Sequence, residues 1–386
     1  MTENEYQEIL ELINKLEKRI SSLQGEELQD AIETMESAQL LLEGHIAAQK
    51  EMAKNTVVFL PYKASMWDSL EGEWEKAQTD ENCNVLVVPI PYYDKTPSGN
   101  IKEGHWEGNE FPDNVIITDY RSVDLEKLHP DKIYIHNPYD ERNLLTSVAP
   151  DYYSTKLKNQ TNELVYIPYF VLNEQGINSK RVEGFAALPG VVYAHTVIVQ
   201  SEAVRQAYID NLAENFGEHT RNIWEYKIKG WGSSKLDKAS SLSKENYNMP
   251  LDWSNKLKKL DGSCKKVIMY GTGFSEMLKS GEKLINKIES VLGFFKLKQD
   301  DVVLLWRPHP LIMESMETID KSAAERYSNV VNRFKQENWG IYDDTADLHR
   351  AIAVSDAYYG DHSSLIQLFQ AAKKPVMLEN LNVLQY

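Results

Sequence analysis

The chain has 386 residues, with 42 basic against 58 acidic side chains and a formal net charge of -16. That length suits two domains of roughly 150 residues plus an appendage. The acidic balance disfavours nucleic-acid backbones and anionic lipid, so a phosphorylated ligand would need a local pocket.

Residues 1–53 are rich in Glu, Leu, Ile, Gln and Ala and contain no proline. Ile9, Leu12, Ile13, Leu16, Ile20 and Leu23 recur at three- and four-residue steps, and Leu28, Ile32, Met35, Leu42 and Ile46 form a second stripe. With Gln24-Gly25 as the break, the pattern predicts a helical hairpin with arms of about 30 Å. Such an element either drives homo-oligomerisation or docking, or packs on its own body. The start MTENEYQEILELINK lacks the basic stretch and cleavage site of a signal peptide. No apolar run approaches the ~20 residues of a membrane helix. The expected location is the cytoplasm, with peripheral contact at the inner membrane face left open. Cys83 and Cys264 are too few and too isolated for a disulfide framework or a zinc site, and are expected to be buried, reduced thiols.

Residues 54–229 alternate short β-rich runs with helical ones, the pattern of a parallel sheet with crossovers. The predicted strands are TVVFL (56–60), NVLVVPI (84–90), NVIIT (114–118), KIYIH (132–136), ELVYI (163–167) and TVIVQ (196–200), after which Ser201-Glu202 opens a helix. Residues 230–263, rich in Ser, Lys and Asn, read as an interdomain connection. From 264 to 386 the alternation resumes through KKVIMYG, VVLLW, WGIYD, DAYYG and PVMLE. The predicted fold class is α/β, with two doubly wound Rossmann-like domains behind an N-terminal helical hairpin.

In open α/β sheets ligands sit beyond the carboxyl ends of the strands. Tyr62, Tyr92, Tyr139 and Tyr169 each follow a proline at such an end, and together they either line an acceptor cleft or cover the sheet edge. IHNPYDER places His136 and Asp140 beside one strand end, a general base with its orienting partner. Lys63 and Ser65 stand at a helix start, where a cap and a surface lysine explain them as well as an anion site does. In the second domain, YGTGFSE brings Gly271 and Gly273 to a strand-to-helix turn, suited either to diphosphate approach or to a positive-φ bend. LLWRPHPL holds Arg307 and His309 between prolines that stiffen the segment, with the Arg fork suited to phosphate oxygens. YYGDHSSLIQ puts Asp361, His362, Ser363 and Ser364 before a helix, as a cap or as a second wall of the same pocket. Asp343-Asp344 reads as a helix cap. No metal pattern stands out, and neither metal nor cofactor is expected.

RPHP at 307–310, followed by SDAYYGDHSSLIQLFQAAKKPVML at 355–378, resembles the CDP-glycerol glycerophosphotransferase family of teichoic-acid enzymes. His362 stands where that family usually has tyrosine, and YGTGFSE where it has a Pro-Thr-aromatic-Arg stretch. The resemblance implies a GT-B-like architecture with the two domains facing a cleft. It implies that Arg307, His309, Asp361, Ser363 and Ser364 contact the phosphates and glycerol of a nucleotide-linked donor. The expected activity is transfer of glycerol phosphate, or a related polyol phosphate, from a CDP-activated donor to an envelope or surface glycan or polyol-phosphate acceptor. The alternatives are a GT-B glycosyltransferase using a nucleotide sugar and a catalytically degenerate scaffold.

Overall fold

In β1 (Asn55–Leu60), Val57 and Phe59 point into one buried cluster and Val58 and Leu60 into another. A strand buried on both faces carries apolar residues at successive positions, and it needs helices on both sides of its sheet. The computed structural model describes residues 26–52, 54–96, 98–273, 282–309, 312–345 and 347–379, with Ile9, Glu11 and Lys15 as isolated helical positions. After β1 come β2 (Cys83–Val87), β3 (Tyr92–Lys95), β4 (Ile101–His105), β5 (Lys132–Ile135), β6 (Thr146–Val148), β7 (Glu163–Tyr166), β8 (Thr196–Ile198) and β9 (Ile228–Lys229). The first sheet is parallel, in the order β2-β1-β5-β7-β8-β9.

The second sheet contains β10 (Lys266–Thr272), β11 (Val302–Pro308), β12 (Ile341–Tyr342), β13 (Ala357–Gly360) and β14 (Val376–Leu378). It too is parallel, in the order β12-β11-β10-β13-β14. Leu304 and Trp306 of β11 face the helices Glu282–Lys296 and Lys321–Glu337, while Val303 and Leu305 face the opposite cluster with Ile352, Leu368 and Phe369. Both sheets are therefore doubly wound. Strand order reverses between β1 and β5 in the first and between β10 and β13 in the second, the positions where open α/β sheets bind ligands.

Several expectations change. NVIIT does not form a strand: Ile117 makes only an isolated bridge to Val87, and Ile116 is exposed. A three-stranded antiparallel sheet, β4-β3-β6, went unread because its strands are short and β4 is almost wholly exposed, which removes the apolar alternation. Cys83 is half-buried and Cys264 exposed, so neither is a core thiol. Residues 234–240 and 251–256 of the connection are helical, and Ala239, Trp253 and Leu257 pack onto the second sheet. The helix Glu26–Met52 buries Ala31, Ala38 and Leu42 and exposes Leu40 and Leu41. Apart from Ile9, the apolar stripe of the hairpin's first arm lies outside the described residues.

Candidate functional site

The exits of β11, β10 and β13 lie side by side in the second sheet, with Thr272 paired to Pro308 and Gly271 to Gly360. The backbone N–H of His309 donates to the Thr272 carbonyl at 3.0 Å, so the segment Arg307 to His309 lies against the end of β10. A Cβ on Gly271 would lie 2.6 Å from the Tyr358 hydroxyl. Gly360 has φ +145°, and a Cβ there would lie 2.1 Å from the Gly271 carbonyl oxygen. These glycines are required by the close approach of β10 and β13.

The polar groups expected to meet phosphate are largely paired within the protein. Arg307 forms an ion pair with Asp343 and donates to the Thr345 carbonyl at 2.8 Å. Asp343, expected as a helix cap, is instead a buried anchor for Arg307, and the helix Leu348–Val354 is capped by Asp347. Asp361 is buried; one carboxylate oxygen accepts from the Gly273 N–H at 2.6 Å and the other pairs with Lys287. Lys287, also buried, reaches Glu379 at 3.2 Å. Tyr359 donates to Glu379 at 3.0 Å, and burial, opposed by Lys287, raises the Glu379 pKa. An internal carboxylate thus holds the Gly273 amide expected to meet a diphosphate. Ser363 accepts from the Leu365 N–H at 3.3 Å, whereas the Ser364 side chain makes no cap.

His309 and His362 are exposed at two of these strand ends. Surrounding protein desolvates His309 and lowers its pKa below the ordinary histidine value. The His362 Nε2 lies 3.4 Å from the Asn173 amide nitrogen of the segment after β7. The two meet in a cleft of about 460 Å³ lined by Asn173, Gln175 and Gln200 on one side and His362, Gln367 and Gln370 on the other.

At the first sheet's reversal point, His136 is fully buried. Its Nε2 accepts from the Tyr62 N–H at 3.1 Å, which leaves the proton on Nδ1 to donate to the Ser69 hydroxyl at 3.0 Å. Burial lowers its pKa to about 3, against a smaller opposing effect of the Met66 carbonyl. The reading of His136 as general base is corrected: both nitrogens tie down the loop after β1, and no proton can reach them from a substrate without breaking it. Asp140 does not orient it. Its carboxylate accepts from the Ser154 N–H at 2.9 Å and the Ser154 hydroxyl at 2.7 Å, anchoring the helix Ser154–Leu157.

The tyrosines do converge. Tyr62 packs edge-on against Tyr92 at 5.5 Å, His136 at 5.3 Å and Tyr169 at 6.3 Å, and the Tyr169 ring meets that of His136 at 6.1 Å. Tyr62 and Tyr92 are buried, so Tyr139 and Tyr169 form the more open part of the rim. Tyr92 belongs to β3 of the antiparallel sheet and donates to Glu107 at 2.6 Å. The Lys63 ammonium lies 4.7 Å above its ring, so Lys63 is more than a surface charge.

One buried cluster joins the two sheets and was missed in the sequence. Asp68, from the turn Ala64–Ser69, pairs with Lys235 at 2.9 Å and with the Nε2 of His349 at 2.8 Å. Lys235 comes from the connection and His349 from the helix Leu348–Val354. Burial by itself would raise the Asp68 pKa, but the Lys235 charge and His349 bring it down to about 2.

No family model matches the chain, and no curated protein matches it. It is similar to several solved structures at low identity. The S. aureus MnaA–UDP co-structure is 12% identical, covers 84% of this chain and 78% of its own, and has a TM-score of 0.49. UDP-GlcNAc 2-epimerase from Neisseria meningitidis bound to UDP-GlcNAc is 12% identical, with 84% and 82% covered and a TM-score of 0.48. A structure of the wall teichoic acid polymerase TagF with CDPG is 15% identical, with 84% and 69% covered and a TM-score of 0.42. No helix among the described residues is long and apolar enough to cross a membrane.

Proposed function

We propose that the protein is a transferase that binds a nucleotide-activated donor in the cleft between the two sheets. The observation carrying this reading is the meeting of His362, at the second sheet's reversal point, with Asn173 of the first unit across that cleft. The RPHP and DHSS segments, which resemble those of CDP-glycerol glycerophosphotransferases, favour glycerol phosphate or a related polyol phosphate as the transferred group.

In that reaction an acceptor hydroxyl oxygen attacks the glycerol-bearing phosphorus. A new P–O bond forms, the bond to the nucleotide oxygen breaks, and CMP leaves. The hydroxyl proton goes to His309, whose depressed pKa keeps its imidazole neutral at pH 7. His362 faces the donor, and Tyr139 and Tyr169 receive the acceptor. His309→Ala is expected to lower turnover of CDP-glycerol at least about 100-fold with an unchanged far-UV spectrum; activity within twofold of the native protein would overturn the assignment. Because a ligand that binds the native state raises Tm, a thermal-shift comparison of CDP-glycerol, CDP, UDP-sugars and GDP-sugars separates donors. Stabilisation by sugar nucleotides alone would favour a glycosyltransferase.

The internal pairing of Arg307, Asp361 and Gly273 supports a second reading, a catalytically degenerate scaffold with residues 1–50 as its working part. That reading expects no nucleotide to raise Tm, and a change of oligomeric state when residues 1–50 are removed.

A further inference from the structure

The antiparallel sheet beside the tyrosine rim carries a second set of chemically competent side chains. Glu103 and His105 are two apart in β4, so they share a face. Across the hairpin, Tyr92 pairs with His105 and Tyr93 with Gly104, and the register then shifts, with Lys95 opposite Ile101. Because Tyr92 lies directly opposite His105, Asp94, two residues on from Tyr92, is on the same face as Glu103 and His105. One ligand atom from each of Asp94, Glu103 and His105 lies within 4.8 Å of the others, and the His105 Nε2 is 2.8 Å from an Asp94 oxygen.

An Asp94–His105 hydrogen bond explains two of these groups. It does not explain Glu103, whose carboxylate is held beside that of Asp94, since like charges so close disfavour one another. Among the described residues no lysine or arginine pairs with either, and the nearby Lys95 ammonium is committed to the carbonyls of Glu141 and Asn143.

We propose that Asp94, Glu103 and His105 form a binding site for a divalent transition-metal cation. One imidazole nitrogen and two carboxylates suit Zn²⁺, Co²⁺ or Mn²⁺. Bonds of about 2.0–2.2 Å would draw the three atoms to separations of about 3.3 Å, a small closure for two exposed or half-buried strands. Three protein ligands leave a position for water or an anionic group. The His105 ring stacks on Tyr92 at 5.0 Å, and Tyr92 meets Tyr62 at 5.5 Å, so the cation would sit one ring away from the tyrosine rim.

The test uses the full chain, untagged and stripped with EDTA, titrated with Zn²⁺ against a chromophoric chelator and separately with Co²⁺. One equivalent is expected to bind, with visible Co²⁺ bands, at least tenfold weaker binding in Glu103→Gln, and no bands in His105→Ala. Glu103 is exposed, so its substitution leaves the fold intact. Absence of a stoichiometric equivalent, or equal binding by the native chain and both variants, would overturn the proposal. These readouts need no donor or acceptor and stand apart from the transferase reading.

Discussion

Replacing Lys287 with methionine is expected to destabilise the protein by about 3–5 kcal/mol, the cost of breaking a buried ion pair from one side. Lys287 is 2% exposed, and its ammonium lies between Asp361 and Glu379, whose side chains are 1% and 4% exposed. Removing it leaves two buried carboxylates facing each other with no counter-charge, beneath the point where β10 and β13 part. Glu379 already has a raised pKa and would protonate first, so the variant should recover stability as the pH is lowered. The measurement is the thermal midpoint, with a drop of roughly 10 °C expected near neutral pH. A triple variant, Lys287→Met with Asp361→Asn and Glu379→Gln, should regain part of the loss, because neutral groups carry no unpaired charge. A loss below about 1 kcal/mol in the single variant, the range of an exposed pair, would show that the triad does not hold this end of the sheet.

Asp68→Asn is expected to cost about 3 kcal/mol for the same reason. It strands Lys235 at the junction of the two sheets and takes an acceptor from His349, whose Nδ1 is already without a partner. The native pH dependence follows from the sign of the Asp68 shift. Its folded pKa is about 2 against an ordinary 3.8, so its contribution is present above the ordinary value and lost as pH falls toward 2. That contribution is on the order of 2 kcal/mol. Urea titrations from pH 6 to pH 2.5 should show this loss in the native chain and a shallower fall in Asp68→Asn. Parallel pH curves for the two proteins would sink the reading.

The most regular elements were legible in the sequence. Ten of the strands follow apolar runs, and those buried on both faces, such as β1 and β11, must be apolar along most of their length. The helix Glu202–Phe216 begins where Ser201 predicted, its hydroxyl accepting from the Val204 N–H at 3.2 Å. Lys287 left a readable trace: it sits three residues after Leu284 and four before Val291, on the buried stripe of its helix. A lysine in that position needs a buried anion, and the sequence does not say which. Asp68 follows Trp67 in a short buried turn, and its partners are 167 and 281 residues away, beyond any local pattern.

Strand ends in the sequence also pointed to the candidate site residues, because parallel strands deliver their carboxyl ends to one rim. They could not tell which groups are buried and held by other parts of the chain. His136 and His309 look alike as imidazoles after a strand; burial gives the first to the Tyr62 and Ser69 loop, while the second remains exposed. Arg307 and Asp361 look like phosphate contacts until Asp343, Lys287 and the Gly273 amide come into place around them. The cation cluster of Asp94, Glu103 and His105 depends on a hairpin register that polar, exposed strands do not encode. By itself, then, the sequence determined the α/β class and ten of the strands, since hydrophobic periodicity is local, while β3, β4, β6 and β9 left no such pattern. Only the tertiary structure decided which charges are partnered, because a hydrogen bond or ion pair is set by distance in space and not by separation along the chain.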